Sequence, residues 1–177
     1  MAHTFNLNSQ ALKREFAVYV VVATDGDTFN LYVGKTGDNR EGCNPLISRC
    51  GNHFSYNKIH SQIRNKIDNH EAKEYTYIFD HFGAYTDDNK ERKRLIDMIN
   101  EMERFLNQEI SKLAQELTGC LLHNEYKGVG VSRAKKEQRE KFRTDERVQK
   151  IRQIVCATKE QIVNKSKHSD AASRAGV

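Results

Sequence analysis

A chain of 177 residues with 37% hydrophobic residues and a mean hydropathy of −0.79 has room for one domain and a short appendage. No apolar run approaches the roughly 20 residues that span a bilayer. The opening MAHTFNLNSQALKREF also lacks a signal-type apolar segment, which points to a soluble, cytoplasmic protein without a membrane partner.

FAVYVVVAT (16–24) is a run of β-branched, aromatic and small apolar residues, the composition of a buried strand. Asp25-Gly26-Asp27 supplies turn chemistry and TFNLYVG returns as a second strand, so the two predict a β-hairpin. Residues 36–49 hold several Gly, Asn and Asp and the only proline, Pro45, and read as a loop. LISRCGNHFSYNKIHSQIRNKIDNH (46–70) spaces Ile59, Ile63 and Ile67 by four. It predicts one helix, or two short ones broken near Gly51. KEYTYIFDHF (73–82) alternates Tyr75, Tyr77 and Phe79 and predicts a third strand.

A long helix is expected over 89–119, with Leu95, Met98, Ile99, Met102, Phe105, Leu106, Ile110 and Leu113 on one stripe and Gly119 as its cap. CLLHNEYKG (120–128) is a short extended or looping return, and 131–165 reads as a highly charged helical segment. The order β-β-α-β-α favours a small α+β domain, its three-stranded, mainly antiparallel sheet flanked by helices. The domain is placed at 1–127 and a basic helical tail at 128–177. The closing HSDAASRAGV has the opening spacing of a helix-turn-helix, Ala172 four before Gly176, but reads more simply as a frayed polar terminus.

The net charge of +5 belongs to the tail. Through Lys127 there are 16 basic and 18 acidic residues; from Gly128 onward there are 13 and 6. Clustered Lys and Arg suggest a polyanionic partner, most often nucleic acid, against the plainer reading of a solvated helix face. Arg133, Lys135, Lys136, Arg139 and Arg143 are the candidate phosphate contacts. The four cysteines, Cys43, Cys50, Cys120 and Cys156, form no CxxC pair and fit reduced thiols. Cys43, Cys50, His53 and His60 have the spacing of no standard zinc finger.

Gly34-Lys35-Thr36 invites comparison with a nucleotide-binding loop. That loop needs a glycine five residues before Gly34, where Phe29 stands, and must lead directly into a helix. Here the triplet ends a strand and enters a loop, so an NTPase is excluded and no small-molecule cofactor is expected.

Another pattern accounts for these residues. Ala17-Val18-Tyr19 on the first strand and Tyr32-Val33-Gly34 on the second are followed by Lys35, by Arg49-x3-His53 and by Glu103 in the E-x-x-L of a long helix. Asn124 lies near the end of the domain. In this order and on these element types, residues 16–126 resemble the GIY-YIG nuclease superfamily. The first triplet keeps only its tyrosine, with Ala17 and Val18 as similarly small or β-forming replacements. The loop before Arg49 is long, which makes Arg40 a rival for the arginine role. Arg49 is preferred because His53, four residues on, shares its helix face.

The resemblance implies a DNA endonuclease of the restriction, homing, repair or phage-defence kind. Tyr19 is then the general base and Tyr32 orients water or phosphate. Lys35 or His53 eases deprotonation of Tyr19, whose ordinary pKa is about 10. Arg49 presents a planar fork to phosphate, and Asn124 positions the site. Glu103, the sole motif carboxylate, suits Mg2+, which keeps several waters, with Mn2+ as a substitute. A non-catalytic nucleic-acid-binding module is the alternative.

Overall fold

The structure, a computed structural model, describes residues 2–37, 44–57, 59–127 and 131–175, with side chains as far as residue 167. Arg40, Cys43, Gly176, Val177 and the middle of the predicted loop, 38–43, lie outside the described residues.

The predicted hairpin is formed by β1 (Glu15–Asp25) and β2 (Thr28–Lys35). Asp25 pairs with Thr28, so Gly26 and Asp27 are a two-residue turn, and Gly26 takes the positive φ, +55°, that such a tight turn demands. β3 (Glu74–Ala84) pairs antiparallel with the other edge of β1. The central strand is covered on both sides, which is why it reads as a continuous apolar run. Alternate side chains divide between two cores. Val18, Val20 and Val22 join one, with Phe29, Leu31 and Val33 of β2; Tyr19, Val21 and Ala23 join the other.

The sheet differs from the predicted three-stranded, mainly antiparallel one. It is four-stranded and mixed, in the order β3-β1-β2-β4. β4 (Cys120–Leu122) lies parallel to β2, with Phe29 opposite Cys120 and Leu31 opposite Leu122. Three residues are too few to display an alternation, and the pairing arises because the preceding helix returns the chain to the exposed edge of β2.

That helix, α2 (Asn89–Glu116), starts at Asp88, whose carboxylate accepts the Glu91 N–H at 2.7 Å. Its predicted stripe faces the first core: Leu95, Met98, Ile99, Met102, Leu106, Ile110 and Leu113 are buried, with Phe105 half-buried at the margin. The helix stops before Gly119, which instead makes the turn into β4. It has φ +77°, and a Cβ there would stand 2.5 Å from the Asp27 carbonyl oxygen.

α1 (Leu46–Phe54) passes through Gly51 without a break and ends at Ser55, whose backbone is extended. The helix does not continue over the spaced isoleucines. Ile63 and Ile67 are buried from a turn-rich segment, but Ile59 is 75% exposed, so the spacing of four was not a helix face.

The charged segment forms two helices, α3 (Arg133–Glu140) and α4 (Asp145–Ala175), rather than one. α4 runs as far as Ala175, into the terminus expected to fray. Its Ile151, Ile154, Thr158 and Ile162 make a buried helical stripe, and the three isoleucines enter the same core as α2. Each such burial contributes about 1.5–3 kcal/mol, so the described basic segment is docked on the domain by an apolar face. No helix among the described residues is long and apolar enough to cross a membrane. Cys50, Cys120 and Cys156 are all free thiols.

Candidate active site

The hairpin register sets Tyr19 opposite Gly34 and Tyr32 opposite Val21, so both phenols project from the same sheet face. The Tyr19 ring lies directly across Gly34: a Cβ on that glycine would be 2.5 Å from both Cζ and Oη. This close approach is what the glycine of Tyr32-Val33-Gly34 provides. Gly34→Ala is expected to displace the phenol and to cost about 1–3 kcal/mol by overpacking, read as a lowered midpoint in denaturant unfolding. Thr36 locks the end of the hairpin. Its N–H donates to the Ala17 carbonyl at 2.8 Å, and its buried hydroxyl accepts the Ala17 N–H and donates to the Glu15 carbonyl.

α1 delivers Arg49 and His53 to this face one helical turn apart. His53 is 3% exposed. Its Nε2 is 3.0 Å from the Tyr19 hydroxyl and its Nδ1 is 2.9 Å from the Tyr77 hydroxyl. The Tyr32 ring meets the imidazole edge-on at 5.4 Å between centroids. Arg49 donates through Nε to the Lys35 carbonyl at 3.3 Å, tying the helix to the end of β2.

Glu103 comes from α2, and its Oε2 is 3.2 Å from the Lys35 ammonium. Lys35 is therefore paired with the acid. The cation whose field acts on Tyr19 and Tyr32 is Arg49, which favours their ionised forms, while Glu103 opposes it at both. Asn124 completes the site from the edge. Its amide accepts the Val33 N–H at 3.0 Å and donates to the Val33 carbonyl at 2.6 Å, standing in for the next residue of a neighbouring strand. Asn107 of α2 holds that segment in turn, donating to the Asn124 carbonyl and accepting the Tyr126 N–H.

Burial sets the titration of these groups. It raises Tyr19 well above its ordinary pKa, with the neighbouring Tyr32 adding to the rise. It pushes Tyr32 up to about 12, with the Glu103 carboxylate adding to the rise. Burial, then the Arg49 charge, lowers His53 to about 4, so the folded imidazole is neutral at pH 7. Between pH 6.5 and about 4 the unfolded chain binds a proton that the folded imidazole refuses. Stability from this group is thus complete above pH 6.5 and is lost as pH falls through that window, by about 3 kcal/mol. Unfolding midpoints measured from pH 7 to pH 4 are expected to fall less steeply in His53→Gln than in the wild type.

Among the described residues no group of three or more His, Cys, Asp or Glu side chains is arranged to hold a metal. Glu103 offers one hard, partly exposed carboxylate beside a position already taken by a cation, the Lys35 ammonium. That donor set fits an oxygen-seeking ion with one protein ligand and rejects a zinc cage.

Of the predicted residues, Tyr19, Tyr32, Lys35, Arg49, His53, Glu103 and Asn124 all gather about the end of β2. Tyr77 was read from the sequence only as a strand position, yet its hydroxyl is 2.9 Å from His53 Nδ1. In the basic segment, Arg133 pairs with Glu137 and Lys135 and Lys136 are exposed, while Arg143 is engaged with the buried Glu101. Comparisons with protein-family models, with curated proteins and with solved structures each return no match.

Proposed function

We propose that the chain is a metal-dependent endonuclease of the GIY-YIG type that hydrolyses phosphodiester bonds in DNA. The observation that carries this reading is the convergence of two phenols, an imidazole, a guanidinium and a carboxylate from β1, β2, α1 and α2, in the motif order of that superfamily. Tyr19 is hydrogen-bonded to His53, and Arg49 and Glu103 both act electrostatically on Tyr19 and Tyr32. A binding scaffold has no need of a buried phenol–imidazole pair beside a partly exposed acid.

Arg49 binds non-bridging phosphate oxygens with its planar fork and meets the charge that builds on them. A water attacks phosphorus as the bond to the 3'-oxygen breaks. The Tyr19 oxygen takes the proton from that water while the Tyr19 hydroxyl proton passes to His53 Nε2. This relay answers the difficulty posed by burial, because the phenol never needs to ionise ahead of the reaction. The Arg49 charge helps to keep His53 unprotonated. Once Arg49 is matched by a phosphate, that charge is offset and His53 becomes a better acceptor.

Tyr32 orients water or phosphate through its hydroxyl, and Lys35 steadies the Glu103 carboxylate. Glu103 would hold a Mg2+ or Mn2+ ion, which when bound would supply Lewis-acid stabilisation of the charge developing at the phosphate and the departing 3'-oxygen. Asn124 keeps Val33, between Tyr32 and Gly34, in strand geometry. Arg133, Lys135, Lys136 and Arg139 contribute phosphate contacts whose strength falls steeply with salt.

Supercoiled plasmid incubated with the full chain and Mg2+ or Mn2+ tests the proposal. Nicked or linear product that disappears with chelator is expected. Binding without cutting in either metal would make the protein a nucleic-acid-binding module on this scaffold.

A further inference from the structure

We propose that Tyr77 is a positioning residue that locks His53 in its Nδ1–H tautomer and so aims the Nε2 lone pair at the Tyr19 hydroxyl. The catalytic meaning of this lock rests on the nuclease reading; the lock itself rests on geometry alone.

β3 pairs Tyr77 with Val21, which sets Tyr77 on the sheet face that carries Tyr19 and Tyr32. Its ring stacks on the imidazole, 17° between planes and 5.9 Å between centroids, and its oxygen lies 2.9 Å from Nδ1. The Tyr77 oxygen can meet Nδ1 as donor or as acceptor, and the buried Tyr19 hydroxyl at the other ring nitrogen decides between them.

A neutral imidazole has one donor nitrogen and one acceptor nitrogen. The Tyr19 hydroxyl has no other acceptor among the described residues, so it donates to Nε2, and Nδ1 carries the hydrogen that the Tyr77 oxygen accepts. Both hydrogens in the chain Tyr19–His53–Tyr77 point the same way. The reverse polarity would make Tyr19 accept from Nε2–H. Its own hydroxyl proton would then be left, in a residue 1% exposed, with no other hydrogen-bond partner among the described residues. Second partners of this kind fix histidine tautomers in metal sites; here the ligand of the oriented nitrogen is a phenol.

The test is long-range 1H–15N correlation spectroscopy on the full, 15N-labelled chain at pH 7, with His53 assigned by its loss in His53→Gln. The wild type is expected to show His53 protonated at Nδ1 only. Tyr77→Phe, with folding confirmed by its thermal melt, is expected to show mixed tautomers or Nε2–H. Its kcat for plasmid nicking is expected to fall about 10- to 100-fold at unchanged KM.

A wild-type Nε2–H tautomer overturns the inference, as does an Nδ1–H tautomer that persists undiminished in Tyr77→Phe. Loss of stability alone, with tautomer and kcat unmoved, also overturns it by reducing Tyr77 to packing. Failure of the nuclease reading would be seen separately, as a wild type that cuts no DNA in any metal, while the spectra still decide the tautomer.

Discussion

Tyr19→Phe is expected to slow nicking of supercoiled DNA by about 10²- to 10⁴-fold, the usual contribution of a positioned acid–base group, without a matching loss of DNA affinity. The substitution keeps the ring across Gly34 and removes only the oxygen, so the hairpin packing should survive. It does leave His53 Nε2, in a residue 3% exposed, without its hydrogen-bond partner. An unsatisfied buried acceptor costs about 1–3 kcal/mol, so denaturant unfolding must accompany the assay to separate lost chemistry from lost structure. Glu103→Ala provides the contrast. Its partner Lys35 is at the margin of the fold, and a partly exposed pair of this kind is worth about 1 kcal/mol or less. Stability should hardly change while cutting fails, and the failure should ease as Mg2+ or Mn2+ is raised. The defect in Tyr19→Phe should not respond to metal. Undiminished cutting in both variants would remove the proposed site.

Legibility from sequence followed the length of each pattern. The hairpin is announced by a nine-residue apolar run, a turn with glycine at its first position and a second strand. α2 is announced by about five turns of apolar stripe, and these two elements position most of the site. Arg49 and His53 could be paired because four residues on a helix return to one face. Glu103 had no local signal and was found only through the order of motifs along the chain.

β4 was read only as an extended or looping return because three residues carry no period. The continuation of that edge by Asn124 is a side-chain contact across 91 residues of sequence. Ile59 misled because a spacing of four arose by chance in a segment that turns. Tyr77 was visible as one step of a strand alternation but not as a partner of His53. Its role depends on the β1–β3 register, which no local pattern specifies.

Arg143→Met is expected to destabilise the protein by about 3 kcal/mol, toward the lower end of what breaking a buried ion pair costs, and to leave DNA binding otherwise intact. Glu101 is 2% exposed, the only buried acid among the described residues. Arg143 reaches its Oε1 with Nε at 2.9 Å and with Nη2 at 2.7 Å, while Arg104 supports Oε2 at 3.3 Å. The guanidinium of Arg143 also lies 4.4 Å over the Phe105 ring. Arg104 remains in the variant, which keeps the cost from the upper end of the range. In Glu101→Met/Arg143→Met both charges leave together. Apolar replacement of a whole buried pair is often neutral or stabilising, so most of the loss should be recovered.

A phosphate-binding role for Arg143 makes the opposite forecast. Stability would then hold, and the slope of log affinity against log salt would shrink by about one contact. Unfolding midpoints and salt titrations of the same variants therefore decide whether Arg143 fastens the basic segment to α2 or reaches for DNA. Lys135 and Lys136, exposed on α3 and without such a partner acid among the described contacts, supply the comparison in which only the salt slope should move.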